Sequence, residues 1–218
     1  MRLFILAKPL DQAKQRLAPC LDRDQRRALA AAMLEDVMVR ARAVRSVKRL
    51  SLLTSDASVA DLARRCGIEL LFEKAPSGLN AAAALARSVA RDDGDRGLVI
   101  LPADLPLLTP ASLDAFVQAW RPGSVAAVRA LDGGTNALVL DPKVDWLFAY
   151  GADSFARHAA VARLLGLKFQ DVEDAALAFD VDRPADLTHL ARTSGLLGRA
   201  TAAFMKDLCS IEGGRRWA

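Results

Sequence analysis

Asp104 stands just past a short apolar run, in Leu101-Pro-Ala-Asp-Leu-Pro-Leu-Leu108. Pro102 and Pro106 each lack an N–H, so neither a sheet ladder nor a helix continues through the segment. A carboxylate in such a loop is suited to holding a metal ion; a loop aspartate without function is the alternative. Asp180 and Asp182, in Phe179-Asp-Val-Asp-Arg-Pro184, fall on one side of an extended segment by the two-residue period. They can complete a carboxylate site with Asp104, although a cap or turn before Pro184 would also account for Asp182. Near the N-terminus, Lys8, Lys14 and Arg16 put three cations in one loop. Ammonium groups and a planar guanidinium meet phosphates by charge and geometry, and a solvated basic loop is the bland reading. Glycines are absent there, so neither a Walker A loop nor a GxGxxG fingerprint applies.

Three further segments could contact an anion or a base. Ser77-Gly-Leu-Asn80 brings Gly78 and Asn80 to a helix start, where the amide either caps the helix or pairs with a purine edge. Asp132-Gly-Gly-Thr-Asn136 offers paired glycines, which let backbone approach an anion, and the Thr135 hydroxyl. A hairpin turn explains it equally well. Tyr150-Gly-Ala-Asp-Ser-Phe155 puts Gly151 and Ser154 at another helix start, where free N–H groups favour anions, with plain serine capping as the alternative.

These residues must be positioned by alternating strands and helices. Apolar runs at residues 2–7, 50–54, 68–72 and 97–101 read as buried strands. Helices follow from Asp22 or Asp24 to about Val44, from Ser55-Asp56 to Cys66-Gly67, from Gly78-Leu79-Asn80 to about Arg91, and from Thr109-Pro110. Four such units imply a parallel sheet with right-handed crossovers. The candidate residues then follow successive strand ends, the edge at which open α/β sheets bind ligands. Further along, residues 124–129, 136–140, 167–172 and 178–181 read as strands. A helix runs from Asp153 or Ser154 to about Leu165, and Pro184 opens the last helix of the core.

Composition narrows the function class. The 218 residues suit one domain with a full core, expected at 1–195. No apolar run approaches the ~18 residues of a membrane span, and residues 3–7 are too few for a signal peptide. Cys20, Cys66 and Cys209 are isolated and odd in number, which fits no disulfide framework or zinc knuckle. A cytoplasmic protein is the expectation. The net charge of +4 comes mostly from residues 189–218, with five basic and two acidic side chains. The body is near neutral and aromatics are only 6%, against the basic, aromatic-laced face of a nucleic-acid binder.

Taken in order, Lys8-Pro-Leu with Lys14 and Arg16, Gly78-Leu-Asn-Ala-Ala82, Leu101 to Leu108, Gly133-Gly-Thr-Asn-Ala-Leu138, Gly151 to Phe155 with His158, and Asp180-Val-Asp182 with Pro184 resemble the CofC/FbiD family. These are guanylyltransferases of coenzyme F-420 biosynthesis, and the resemblance spans about residues 2–192. It implies an α/β, Rossmann-like, mostly parallel sheet flanked by helices (the MobA-like nucleotidyltransferase fold) with a small β-rich insertion. It also implies GTP and a small phosphorylated three-carbon acid as substrates, and Mg2+ held by Asp104, Asp180 and, as a third carboxylate, Asp182. Lys8, Lys14 and Arg16 would face the triphosphate, Gly78 and Asn80 the guanine, and Thr135, Gly151 and Ser154 the acceptor's phosphate.

The chain departs from that pattern at Gly151-Ala-Asp-Ser-Phe155, where relatives usually carry Gly-Pro-Gly-Ser-Phe. Asp153 either alters acceptor choice or caps the helix and points outward. Glu73-Lys-Ala-Pro-Ser-Gly78 replaces a loop that is often richer in glycine. A related nucleotidyltransferase with another acceptor and a non-catalytic nucleotide-binding module are the competing functions. The first lacks its glycine-rich N-terminal loop here; the second has no reason to keep Asp104, Asp180 and the basic loop together. The tail at 196–218 is expected to be helical or partly disordered. Its Leu196, Leu197, Phe204, Met205 and Leu208 would pack on this chain or on a second copy in a homodimer.

Overall fold

The computed structural model describes residues 1–74 and 77–211. Its strands are β1 (Arg2–Leu6), β2 (Arg49–Thr54), β3 (Glu69–Phe72), β4 (Leu98–Pro102), β5 (Ser124–Arg129), β6 (Thr135–Leu140) and β7 (Lys168–Asp171). They form one sheet in the order β3-β2-β1-β4-β6-β5-β7. The helices are α1 (Arg23–Arg42), α2 (Ala60–Arg65), α3 (Leu79–Asp92), α4 (Pro110–Ala119), α5 (Ser154–Leu164), α6 (Ala175–Ala178), α7 (Pro184–Arg192) and α8 (Arg199–Ile211). β1, β2, β3 and β4 are mutually parallel, β5 is parallel to β7, and only β6 runs against its neighbours β4 and β5.

The unbroken apolar runs of β1 and β4 have a simple cause: both faces of the sheet are covered. Leu3, Ile5, Leu52, Val99 and Leu101 pack against α1 and α4. Phe4, Leu6, Leu53, Leu98 and Ile100 pack against the alanine face of α3 and against Trp146, Phe148 and Tyr150. Of the two caps offered for the first long helix, Asp22 is the one used. Its carboxylate accepts from Gln25 N at 2.8 Å, while the Gln25 side chain accepts from Asp22 N at 2.9 Å.

Two expectations need correction. The strands read as a small β-rich insertion extend the main sheet instead, because β6 pairs directly with β4. Residues 178–181 are not a sheet strand. The Asp174 carboxylate accepts from Leu177 N at 2.9 Å and caps the short α6, after which the chain runs extended outside any ladder. Burial of Phe179 and Val181 anchors that segment.

The tail folds back on its own chain. Met205 and Leu208 of α8 bury against α1 and α7, in the same apolar cluster as Leu17, Phe179 and Val181. Most of the apolar residues offered to a second copy are therefore engaged within the chain, while Leu196 stays exposed, and residues 212–218 lie outside the described residues. Asp36, buried on α1, fixes the start of α8 by accepting from Ala200 N at 3.0 Å and Thr201 N at 2.8 Å. Gly198 passes so close that a Cβ there would lie 2.1 Å from the Asp36 carboxyl carbon. Replacing Asp36 by Ala leaves two helix N–H groups without partners and costs about 2 kcal/mol. Urea denaturation should read that loss, and limited proteolysis should cut first within residues 193–211; unchanged cleavage there would contradict it.

Candidate active site

Register brings the site together. Leu6 pairs with Pro102, so the loops after β1 and β4 leave the sheet side by side. β6 is reversed and pairs Leu138 with Ile100, which carries its first residues, Thr135 and Asn136, to the same edge. A cleft of about 540 Å³ opens there, with Lys8, Lys14, Gly78, Asp104, Thr135 and Asp180 among its walls. That volume suits a ligand of nucleotide size.

The floor is a cluster of carboxylates. One oxygen from each of Asp104, Asp180 and Asp182 lies within 4.8 Å of the others. The alternation read from the sequence carries over outside a ladder: Phe179 and Val181 point into the core, and Asp180 and Asp182 line the cleft. Burial, with Asp104 and then Asp182 as like charges, pushes the Asp180 carboxyl up to about 6 despite a bond from Asn136 Nδ2 at 3.3 Å. A set of hard oxygen donors that repel one another fits a divalent cation such as Mg2+.

Lys14 is the buried cation of the site, its side chain 5% exposed. Its Nζ lies 2.5 Å from Asp104 Oδ2 and 3.2 Å from Asp182 Oδ1. Burial works against its charge, but the two carboxylates outweigh it and hold the ammonium above its usual range. The backbone at Lys14 is left-handed, φ 55°, between short helical turns at Leu10–Gln12 and Gln15–Leu17. Asp56, just past β2, ties this loop down by accepting from Leu10 N at 2.8 Å. Lys8 and Arg16 differ from Lys14 in kind. Lys8 is exposed on the cleft wall, and Arg16, 62% exposed, reaches Asp182 Oδ2 at 3.2 Å.

Gly78 borders the cleft at φ 84° and occupies the cap position of α3. Asn80 is not the cap of α3. Its Oδ1 accepts from Tyr150 N at 2.7 Å and its Nδ2 donates to Tyr150 O at 3.3 Å, so the amide joins α3 to the segment before α5. Ala75 and Pro76 of the expected guanine loop lie outside the described residues.

Thr135 also borders the cavity, and the buried Ser154 stands behind it, donating from Oγ to Thr135 Oγ1 at 3.2 Å. Gly151 is exposed at φ 125° in the turn before α5. Asp153 holds the cap position of α5 without a side-chain capping bond, in a left-handed conformation of φ 54°. It is therefore a strained cap. Asp153→Gly relieves about 1–2 kcal/mol of strain against up to about 1 kcal/mol of added unfolded-state freedom. A net gain of about 0.5 kcal/mol should appear in urea denaturation, and a loss would contradict it.

Three polar residues of the site went unassigned by sequence reasoning. Asn136 donates from Nδ2 to Leu177 O at 2.9 Å as well as to Asp180, and Asp186 accepts from Asp182 N at 2.8 Å. His158 is buried and bonded to Thr135. A polar residue inside an apolar run was the available signal for Asn136.

A family model described as "Guanylyl transferase CofC like" matches residues 1–209. The chain belongs to that family. Among its relatives is the phosphoenolpyruvate guanylyltransferase of Sphaerobacter thermophilus, 40% identical over 84% of this chain and 88% of that one. The 3-phospho-D-glycerate guanylyltransferase of Phenylobacterium zucineum is 36% identical over 91% and 92%. The fold also matches a structure described as a nucleotide-diphospho-sugar transferase from Desulfovibrio desulfuricans. Its TM-score is 0.79, at 18% identity over 98% of this chain and 96% of that one. Membership of the CofC-like family makes the chain a nucleotidyltransferase. Among the described residues, no helix is long and apolar enough to cross a membrane.

Proposed function

We propose that this chain transfers GMP from GTP to a small phosphorylated three-carbon acid, releasing pyrophosphate, as a step of coenzyme F-420 biosynthesis in the cytoplasm. The observation that carries this reading is the carboxylate trio with buried Lys14 in the same cleft as the Thr135 hydroxyl. A phosphate oxygen of the acid attacks the α-phosphorus of GTP, and the bond from that phosphorus to the bridging oxygen breaks. The attacking group is already an anion at neutral pH, so no protein nucleophile or base is required. Asp104, Asp180 and Asp182 would hold Mg2+, whose charge neutralises phosphate oxygens when it is bound.

The remaining work is positioning and charge neutralisation by the chain's own groups. Lys14 lies at the carboxylates, and Lys8 and Arg16 lie at the rim, where a triphosphate would pass. Gly78 lets backbone come close to the base. Thr135, backed by Ser154 and followed by the Gly151 turn, is assigned to the acceptor. Residues 1–195 are read as the nucleotidyltransferase domain, braced by the tail.

The named relatives act on different acids, so the acceptor must be measured. Pyrophosphate release with Mg2+ should require GTP, with ATP and CTP inactive, and one of phosphoenolpyruvate, 3-phosphoglycerate or 2-phospho-L-lactate. No release with any acid, from protein that binds GTP, would overturn the acceptor class.

A further inference from the structure

His158 is buried completely, and every polar contact of its ring is accounted for. Its Nε2 lies 3.0 Å from the backbone nitrogen of Ala149, and its Nδ1 lies 3.0 Å from Thr135 Oγ1. A backbone N–H can only donate, so Nε2 must be the bare, accepting nitrogen. The ring stays neutral: burial, then the Arg157 charge, pulls its pKa down to about 4. The single ring proton of a neutral imidazole then sits on Nδ1 and is donated to Thr135.

The consequence reaches the cleft. Thr135 Oγ1 receives a hydrogen bond from His158 and stands 3.2 Å from Ser154 Oγ. Two hydroxyls carry two protons, and their mutual bond uses one. With His158 supplying a proton from behind, the second hydroxyl proton has no partner inside the cluster. It is available to a ligand oxygen. Trp146 and Tyr150 pack on the ring, with centroids at 5.9 Å and 4.9 Å, and limit its rotation away from Ala149 and Thr135.

We propose that His158 is a positioning residue for acceptor recognition: held by the Ala149 N–H with its proton on Nδ1, it makes the Thr135–Ser154 pair a net hydrogen-bond donor to an anionic oxygen of the phosphorylated acid. This rests on the acceptor reading of Thr135 given above. The opposite tautomer would draw the Thr135 proton backward and leave lone pairs facing an anion. An anionic oxygen would then be repelled, so the tautomer with the proton on Nδ1 is the one that suits phosphate or carboxylate oxygens.

Nitrogen NMR of the imidazole reads the tautomer without any substrate. The expected result is a pyrrole-type Nδ1 and a pyridine-type Nε2, with no titration between pH 5 and 8. Kinetics supply the second readout. His158→Phe keeps the ring and removes both bonds, and should raise the acceptor KM about ten- to hundredfold with the GTP KM changed less than about twofold. His158→Asn, which can place an amide N–H near the Nδ1 position, should recover much of that loss, whereas a purely packing role predicts no such rescue.

A protonated Nε2 or an imidazolium at pH 7 overturns the proposal, as do equal rises in both KM values. No turnover in a wild type with the expected tautomer would count against the guanylyltransferase reading, and the acceptor role would fall with it. An active wild type with the opposite tautomer would count against this inference alone.

Discussion

Asp180→Asn should make the metal-free protein more stable at pH 7–8 while lowering guanylyl transfer at least about a hundredfold. The two effects share one cause. The Asp180 carboxyl is pushed from 3.8 up to about 6 by burial and by its neighbours Asp104 and Asp182. Between those values the native state holds a proton that the unfolded chain has released, so stability falls as pH rises through that window. Above about 6 the full penalty applies; below about 4 it is absent. Asn carries no charge and escapes it, gaining about 1–2 kcal/mol after allowance for partial exposure. The same substitution removes an oxygen donor from a site built to neutralise phosphate charge. Urea denaturation at pH 4 and pH 8 with chelator present, beside pyrophosphate release, measures both. A variant equally stabilised at the two pH values would show that charge repulsion is not the cause.

Lys14→Met should act in the opposite direction on stability. Methionine matches the aliphatic stem but leaves Asp104 and Asp182 without the buried ammonium that lies 2.5 and 3.2 Å from them. Removing one partner of a buried pair is costly, and the partial exposure of both carboxylates moderates the loss to about 2 kcal/mol at pH 8. The native Lys14 value is raised from 10.5, so its stabilisation is complete below that pH and is lost only as pH rises through the folded value. In turnover the variant should lose about a hundredfold in kcat/KM for GTP. Undiminished GTP turnover would remove Lys14 from the triphosphate site.

Much of the site was legible because the chemistry was written in residue type at strand ends. Asp104 between two prolines, the alternation of Asp180 and Asp182, and the run of Lys8, Lys14 and Arg16 all pointed to one sheet edge. The family resemblance gained its force from their order along the chain. Individual roles were less legible. Lys14, Lys8 and Arg16 look alike as three cations in a loop, yet only Lys14 is buried among the carboxylates. Nothing local distinguishes them; the difference arises from the left-handed turn at Lys14 and from Asp56 holding the loop against β2. Asn80 shows the same limit. An amide two residues past a glycine suggests a cap or a base contact, but its partner, Tyr150, is 70 residues away.

By itself, then, the sequence determined the alternating α/β plan, the apolar strands of the parallel half and the identity of the carboxylate trio. These follow from periodicity, turn chemistry and spacing, which are local properties. Only the tertiary structure decided that β6 runs backward beside β4 and carries Thr135 and Asn136 to the active edge. It also decided that residues 178–181 form no ladder, that α8 braces α1 through Asp36, and that His158 stands behind Thr135. Strand order, buried hydrogen-bond partners and charge burial depend on contacts between distant segments. Their energies arise only when the whole chain has packed.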